Sequence, residues 1–200
     1  MSSVVVARSR PVLADLIPGH LARDALVAVS YAALVGLAAQ IVIHLPFTPV
    51  PITGQTFAVL LGGLVVGTRR GVAGMSLYLV LGLVGLPWFA GGSHGYSSAD
   101  AASFGYIIGF LFAAAVLGQL ARLGMDRHPL TVILALILGN AVIYLFGATW
   151  LAVNQGLGPT QAVTLGVTPF LLGDALKALL AAGLLPATWR LLPEARPDRR

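Results

Sequence analysis

The sequence contains no cysteine, which excludes disulfides, thiol nucleophiles and cysteine-held metals. Charge is scarce as well. Asp, Glu, Lys and Arg make up 10% of the 200 residues, against about 25% in an ordinary soluble domain. No G-x-x-x-x-G-K-[ST] loop occurs, so the chain does not hydrolyse ATP in the P-loop manner. His20, His44, His94 and His128 lack metal-ligand spacing, and no serine sits in a G-x-S-x-G elbow. Ser76 and His94 could be imagined as a dyad, but nothing in the sequence brings them together. These absences argue against an enzyme. The net charge of +5 does not point to nucleic acid, because the basic residues fall in short gaps between apolar runs rather than on one aromatic-studded face.

What remains is apolar. Hydrophobic residues make up 58% of the chain and the mean hydropathy is +0.90. One soluble core could not hide that much apolar surface, so lipid is the expected solvent. The 24 glycines fit membrane helices, where small residues let backbones approach closely. The pattern predicts an all-α integral membrane protein with six transmembrane helices, near 24–45, 55–68, 72–86, 104–120, 130–153 and 168–192. The second run is short against the roughly 20 residues a full crossing needs. Arg69-Arg70-Gly71 is expected to form a tight turn between the second and third runs, with a re-entrant hairpin as the alternative. Residues 1–23 and 193–200 are expected to be flanking segments of a transmembrane domain spanning 24–192. The polar stretch broken by Pro11 and Pro18 does not read as a cleavable signal peptide.

With six spans and an inner N-terminus, Arg8, Arg10, Arg23, Arg69, Arg70, Arg122, Arg127, Arg190, Arg196, Arg199 and Arg200 all fall on one side. The outer segments 46–54, 87–103 and 154–167 hold no basic residue. The positive-inside rule then makes both termini cytoplasmic. The outer segments are almost uncharged, with Asp100 alone among them, and two carry rigid or turn-forming runs: Pro46-Phe47-Thr48-Pro49-Val50-Pro51 and Pro87-Trp88-Phe89-Ala90-Gly91-Gly92. Such loops suit a lid. Interfacial anchoring by Trp88 and Tyr96 is the plainer alternative.

Lys177, the single lysine, lies inside the sixth run, three residues after Asp174 and on the same helix face. From Thr168 the pair lies roughly 9–14 Å into the membrane at about 1.5 Å per residue. Charges there are costly, so they must face the protein interior or an aqueous cavity. A structural ion pair is one reading. A ligand site is the other, with the carboxylate accepting ligand N–H groups and the ammonium donating to a ligand oxygen. Gln55, Tyr78 and Asn140 are further polar candidates, each with the alternative of bonding a neighbouring helix. Small-residue spacing occurs at Ala28, Ala32 and Gly36, at Gly63 and Gly67, and at Gly105 and Gly109. Three functions fit these residues: a solute-capturing subunit, a self-sufficient proton-coupled carrier with Asp174 as proton site, and a structural protein clamped by Asp174–Lys177.

Three motifs together narrow the choice. Pro46-Phe47-Thr48-Pro49-Val50-Pro51-Ile52-Thr53-Gly54-Gln55-Thr56, Gly85-Leu86-Pro87-Trp88-Phe89-Ala90-Gly91-Gly92 and Gly173-Asp174-Ala175-Leu176-Lys177 resemble the BioY family, the biotin-binding S components of energy-coupling factor (ECF) transporters. The likeness runs from the first span to the last. It departs before the fourth span, where the family's Pro-Thr-Gly-Gly-Tyr turn is replaced by Ala102-Ser103-Phe104-Gly105-Tyr106. The resemblance implies a six-helix S-component bundle in a prokaryotic plasma membrane, with no cofactor and with biotin held under the outer loops. It also implies a membrane-embedded coupling subunit and two cytoplasmic ATPases as partners. Ala28, Ala32 and Gly36 would contact the coupling subunit. Asp174 would accept a ureido N–H, and Lys177 would donate to the ureido carbonyl or the valerate carboxylate. Asn140, Gln55 and Tyr78 would add polar contacts, Phe47, Trp88 and Phe89 would form the apolar walls, and Gly91 and Gly92 would complete the substrate-binding set in the second outer loop.

Overall fold

A computed structural model describes residues 10–17 and 21–192. The expected segments 1–23 and 193–200, with Arg8, Arg196, Arg199 and Arg200, therefore lie partly or wholly outside the described residues. Among those described, the chain is mostly helical: α1 (Leu21–Ala38), α2 (Gln55–Val66), α3 (Thr68–Val84), α4 (Phe104–Arg122), α5 (Pro129–Gln155), α6 (Pro159–Gly166) and α7 (Leu171–Leu191). Two short strands, β1 (Val42–Ile43) and β2 (Ile52–Thr53), form a hairpin between α1 and α2. Four stretches are long and apolar enough to cross a membrane: α1, α4, α5, and α6 with α7. Large apolar side chains such as Leu37, Leu130, Leu172 and Leu191 point outward, as lipid-facing residues do.

Glycine sets how closely the helices approach. A Cβ on Gly105 or Gly109 would strike Trp150 or the Ile143 backbone, so α4 and α5 meet backbone to backbone. Gly62 and Gly74 flank the Tyr31 ring, whose hydroxyl donates to the Val59 carbonyl at 2.7 Å. That side chain pins α1 between α2 and α3. Ala28, Ala32 and Gly36, expected to face a partner, are buried here. The space above Gly74 is filled by the Ala28 carbonyl and Tyr31, and the space above Gly36 by Trp88. The small-residue face of α1 therefore serves the chain's own packing. Its outward face instead carries Leu26, Val29, Leu34 and Leu37.

The turn between α2 and α3 sits at Gly67, with φ 81° and ψ 170°, rather than at Arg69–Gly71. Arg70 lies inside the first turns of α3 and is buried. It remains charged there because its guanidinium meets Asp15 at 2.7 Å and Asp24 at 2.8 Å, and a buried charge survives only when paired. At the same end, the Trp189 indole donates to the buried Asp126 carboxylate at 2.6 Å, and Arg127 stacks on that indole. Burial raises the Asp126 pKa, opposed by the Trp189 hydrogen bond and the Arg127 charge. These contacts tie the α4–α5 loop to the last turn of α7.

Candidate ligand chamber under the outer hairpin

At the opposite end, three prolines leave the segment after α1 few N–H groups to pair, so β1 and β2 join only at Val42–Thr53 and Ile43–Ile52. The hairpin folds over the bundle and is fastened at its far side by the Thr48 hydroxyl, which donates to the Leu165 carbonyl at 2.7 Å. The loop after α3 closes from the other side. Gly91 N–H donates to the Ala39 carbonyl at 3.2 Å, and the Gln40 amide reaches the Phe89 carbonyl at 3.4 Å. Beneath them lies a cavity of about 70 Å³.

Its polar floor comes from three helices. Lys177 on α7 donates to Asp174 Oδ1 at 3.2 Å and to Thr56 Oγ1 on α2 at 2.6 Å. Asp174 Oδ2 accepts from the Tyr144 hydroxyl of α5. Asp174 is 6% exposed, and the Lys177 side chain 20%. An ammonium has three donors, so Lys177 keeps one for a solute. A carboxylate offers about four lone-pair sites, so Asp174 can accept further N–H groups beyond the Lys177 N–H and the Tyr144 O–H it already meets. This is a charged, directional site in a shell that is mostly apolar, with hydroxyl and amide side chains such as Thr53, Gln55 and Ser103 interspersed, the composition of a small-molecule pocket.

The other expected site residues divide. Gln55 and Phe89 line the chamber. The Gln55 amide is committed, donating to the Tyr78 hydroxyl at 2.8 Å and accepting from Thr53 Oγ1 at 3.0 Å. Tyr78 and Trp88 stand one layer back. The Tyr78 hydroxyl donates to the Trp88 carbonyl and the Trp88 indole to the Tyr78 carbonyl, and both rings support Phe89 or its neighbours. Gly91 and Gly92 shape the loop with φ of 65° and 78° and do not line the cavity. Phe47 sits in the loop of the hairpin, 60% exposed and away from the chamber, because the prolines turn the loop outward before the wall begins at Val50. Asn140 does not line the chamber either. It faces a second hollow of about 460 Å³ between α5 and α7. Tyr144 and Asp174 line both spaces. The sequence reading missed Tyr144. The available signal was its place one helical turn after Asn140, on the same face of α5.

A family model described as the BioY family matches residues 8–194. A Rhizobium etli protein named biotin transporter BioY is 36% identical over 168 residues, covering 80% of this chain and 89% of that protein. A Pyrococcus horikoshii protein named probable biotin transporter BioY is 40% identical over 151 residues, covering 76% and 86%. Among solved structures, the S-component for biotin from an ECF-type ABC transporter superposes with a TM-score of 0.76 at 25% identity, covering 84% of this chain and 92% of that one.

Proposed function

Since the chain belongs to the BioY family, we propose that it is a biotin-capturing S component, which takes the vitamin at the outer face and passes it inward with an ATP-driven coupling module. The carrying observation is the Asp174–Lys177–Tyr144–Thr56 cluster at the floor of a chamber roofed by uncharged segments. Biotin's ureido ring has two N–H donors and one carbonyl acceptor. Asp174 accepts an N–H, and Lys177 donates to a ligand oxygen. Phe89 and Phe110 supply apolar wall. Closing the roof removes water and strengthens each polar contact.

The same reading makes α1 to α5 and α7 six spans with cytoplasmic termini in a prokaryotic plasma membrane. Supporting it, Arg23, Arg69, Arg70, Arg122, Arg127 and Arg190 all gather at the end away from the chamber. The short α2 crosses with help from the hairpin, which covers its outer end. The coupling subunit meets the exposed face of α1, and ATP hydrolysis belongs to two cytoplasmic partners.

Calorimetric titration of biotin into the purified chain in detergent tests this. One-to-one binding is expected, with Asp174→Asn and Lys177→Ala each weakening it by about tenfold or more. Unchanged affinity in both variants would move the site elsewhere.

A further inference from the structure

We propose that the inner end of the bundle, between the α4–α5 loop and the last turn of α7, binds the phosphate of an anionic phospholipid from the inner leaflet. The leaflet follows from the topology with cytoplasmic termini, while the site itself needs no reading of the vitamin. Charge at this end is unevenly compensated. On the α1–α3 side, Arg70 meets Asp15 at 2.7 Å and Asp24 at 2.8 Å, and Arg23 meets Asp24 at 2.9 Å. Around the inner ends of α4, α5 and α7, the one carboxylate among the described residues is Asp126, and it is fully buried. Its Oδ2 accepts from the Trp189 indole at 2.6 Å, and Arg127 Nε stands 3.9 Å from its Oδ1. Arg10 and Arg190 are exposed and lie within ion-pair distance of no carboxylate among the described residues. Arg122 reaches only Asp15, at 3.8 Å, and Asp15 is held more closely by Arg70. Beyond Leu192, Glu194 and Asp198 are outnumbered by Arg196, Arg199 and Arg200, so the tail adds no net negative charge.

These guanidiniums gather around one loop. The Arg10 side chain lies against Gly124, where a Cβ would come 2.5 Å from its guanidinium, and the Arg10 N–H donates to the Arg122 carbonyl at 2.9 Å. Arg127 lies 4.2 Å above the Trp189 ring and donates to the Pro11 carbonyl at 3.1 Å. Stacking holds its planar fork in place, so little rotamer freedom is left to lose when a phosphate accepts from it. Arg190 follows the stacked indole directly. Beside them Leu123, Leu130 and Leu191 are 60%, 69% and 79% exposed. Basic groups next to an apolar surface, at the cytoplasmic ends of spanning helices, match a phospholipid with its headgroup on the arginines and its acyl chain on the leucines. A soluble anion would use the charge alone. The coupling subunit is placed at α1, on the side where the arginines are already paired, which leaves the uncompensated side to lipid.

Native mass spectrometry of the purified full-length chain in detergent, titrated with phosphatidylglycerol or phosphatidylcholine, tests this. Wild type is expected to hold phosphatidylglycerol about tenfold more tightly. The Arg10 and Arg190 side chains make no hydrogen bond among the described residues, so Arg10→Gln and Arg190→Gln remove charge without removing a contact. Each is expected to weaken phosphatidylglycerol by about fivefold, with the thermal unfolding midpoint and biotin affinity unchanged. Arg69→Gln is the matched control, since Arg69 is exposed at the same end but belongs to the first turn of α3. It is expected to leave phosphatidylglycerol affinity within about twofold of wild type. Equal losses in all three variants would overturn the site, because net charge alone would then account for binding. So would equal binding of the two lipids by wild type, or displacement of phosphatidylglycerol by millimolar inorganic phosphate, which would make this a site for a soluble anion. Wild type that binds no biotin yet keeps this lipid pattern would sink the functional reading and leave this proposal standing.

Discussion

The Tyr78 hydroxyl accepts from the Gln55 amide and donates to the Trp88 carbonyl, so one phenol closes two buried polar groups that come from α2 and the loop after α3. Tyr78→Phe keeps the ring and leaves both partners unmatched. The expected cost is about 1–3 kcal/mol, read as a lower thermal unfolding midpoint of the purified protein. Biotin affinity of the folded fraction is expected to stay near wild type, because Tyr78 does not line the chamber; a loss as large as that of Lys177→Ala would place the phenol in the site instead. At this scale the sequence was informative where a residue is out of keeping with its surroundings. Asp174 and Lys177 stand out in an apolar run. Tyr144 does not, since one aromatic in a span is ordinary. Gln55 and Tyr78 were visible as polar groups, but 23 residues of separation hid that they bond each other. That bond fixes Gln55 at the chamber wall and makes Tyr78 its support from one layer behind.

Elements position these groups by close approach. A Cβ on Gly82 would run into the Phe89 ring, and Phe89 is both a chamber wall and 1% exposed. Gly82→Ala must displace that ring, at about 1–3 kcal/mol, and is expected to lower stability and biotin affinity together. A variant that loses neither in unfolding and titration experiments would show that α3 and the loop can part freely. The hairpin offers a separate lever, because Thr48 to Leu165 is the side-chain hydrogen bond fastening its loop to the end of α6. Thr48→Val removes a bond worth about 0.5–1.5 kcal/mol. Release of labelled biotin in a chase experiment is expected to quicken by roughly two- to tenfold, with the unfolding midpoint unchanged. Element bounds were legible to within about two residues where an apolar run gives way to polar or turn residues: the second run was read as 55–68 against α2 at Gln55–Val66, and the fifth as 130–153 against α5 at Pro129–Gln155. They failed where tertiary contacts decide. The first run was read through to Leu45, yet α1 stops at Ala38 because Ile41–Leu45 belongs to the hairpin segment. Residues 154–167 were read as an outer linker, yet Pro159–Gly166 is helical, a short uncharged segment packed on α5. The third run was expected to begin at Val72, but α3 begins at Thr68: a hydropathy window ends a span at Arg69-Arg70, whereas in the fold Arg70 is accommodated in the first turns of α3 by Asp15 and Asp24.

Taken whole, the molecule separates its two kinds of charge by height. The arginines of the described residues cluster at one end, and the chamber with its one lysine occupies the other. The chain carries no G-x-x-x-x-G-K-[ST] phosphate loop. The rival source of energy would be a proton carried by Asp174. The Asp174 carboxylate is engaged by both the Lys177 ammonium and the Tyr144 hydroxyl, and removing one partner of a buried pair costs about 3–5 kcal/mol. A carboxylate held in place by two partners suits the fixed geometry of a capture site. The purified chain in liposomes is therefore expected to bind external biotin stoichiometrically but not to concentrate it, either with internal ATP or under an imposed pH gradient. Co-reconstitution with a coupling subunit and its two ATPases is expected to give uptake that stops when ATP is withheld. Accumulation by the chain alone, driven by a pH gradient and lost in Asp174→Asn, would reverse this assignment and make Asp174 a proton carrier. Binding without accumulation, joined to ATP-dependent uptake in the co-reconstituted system, would leave the energy source outside the chain.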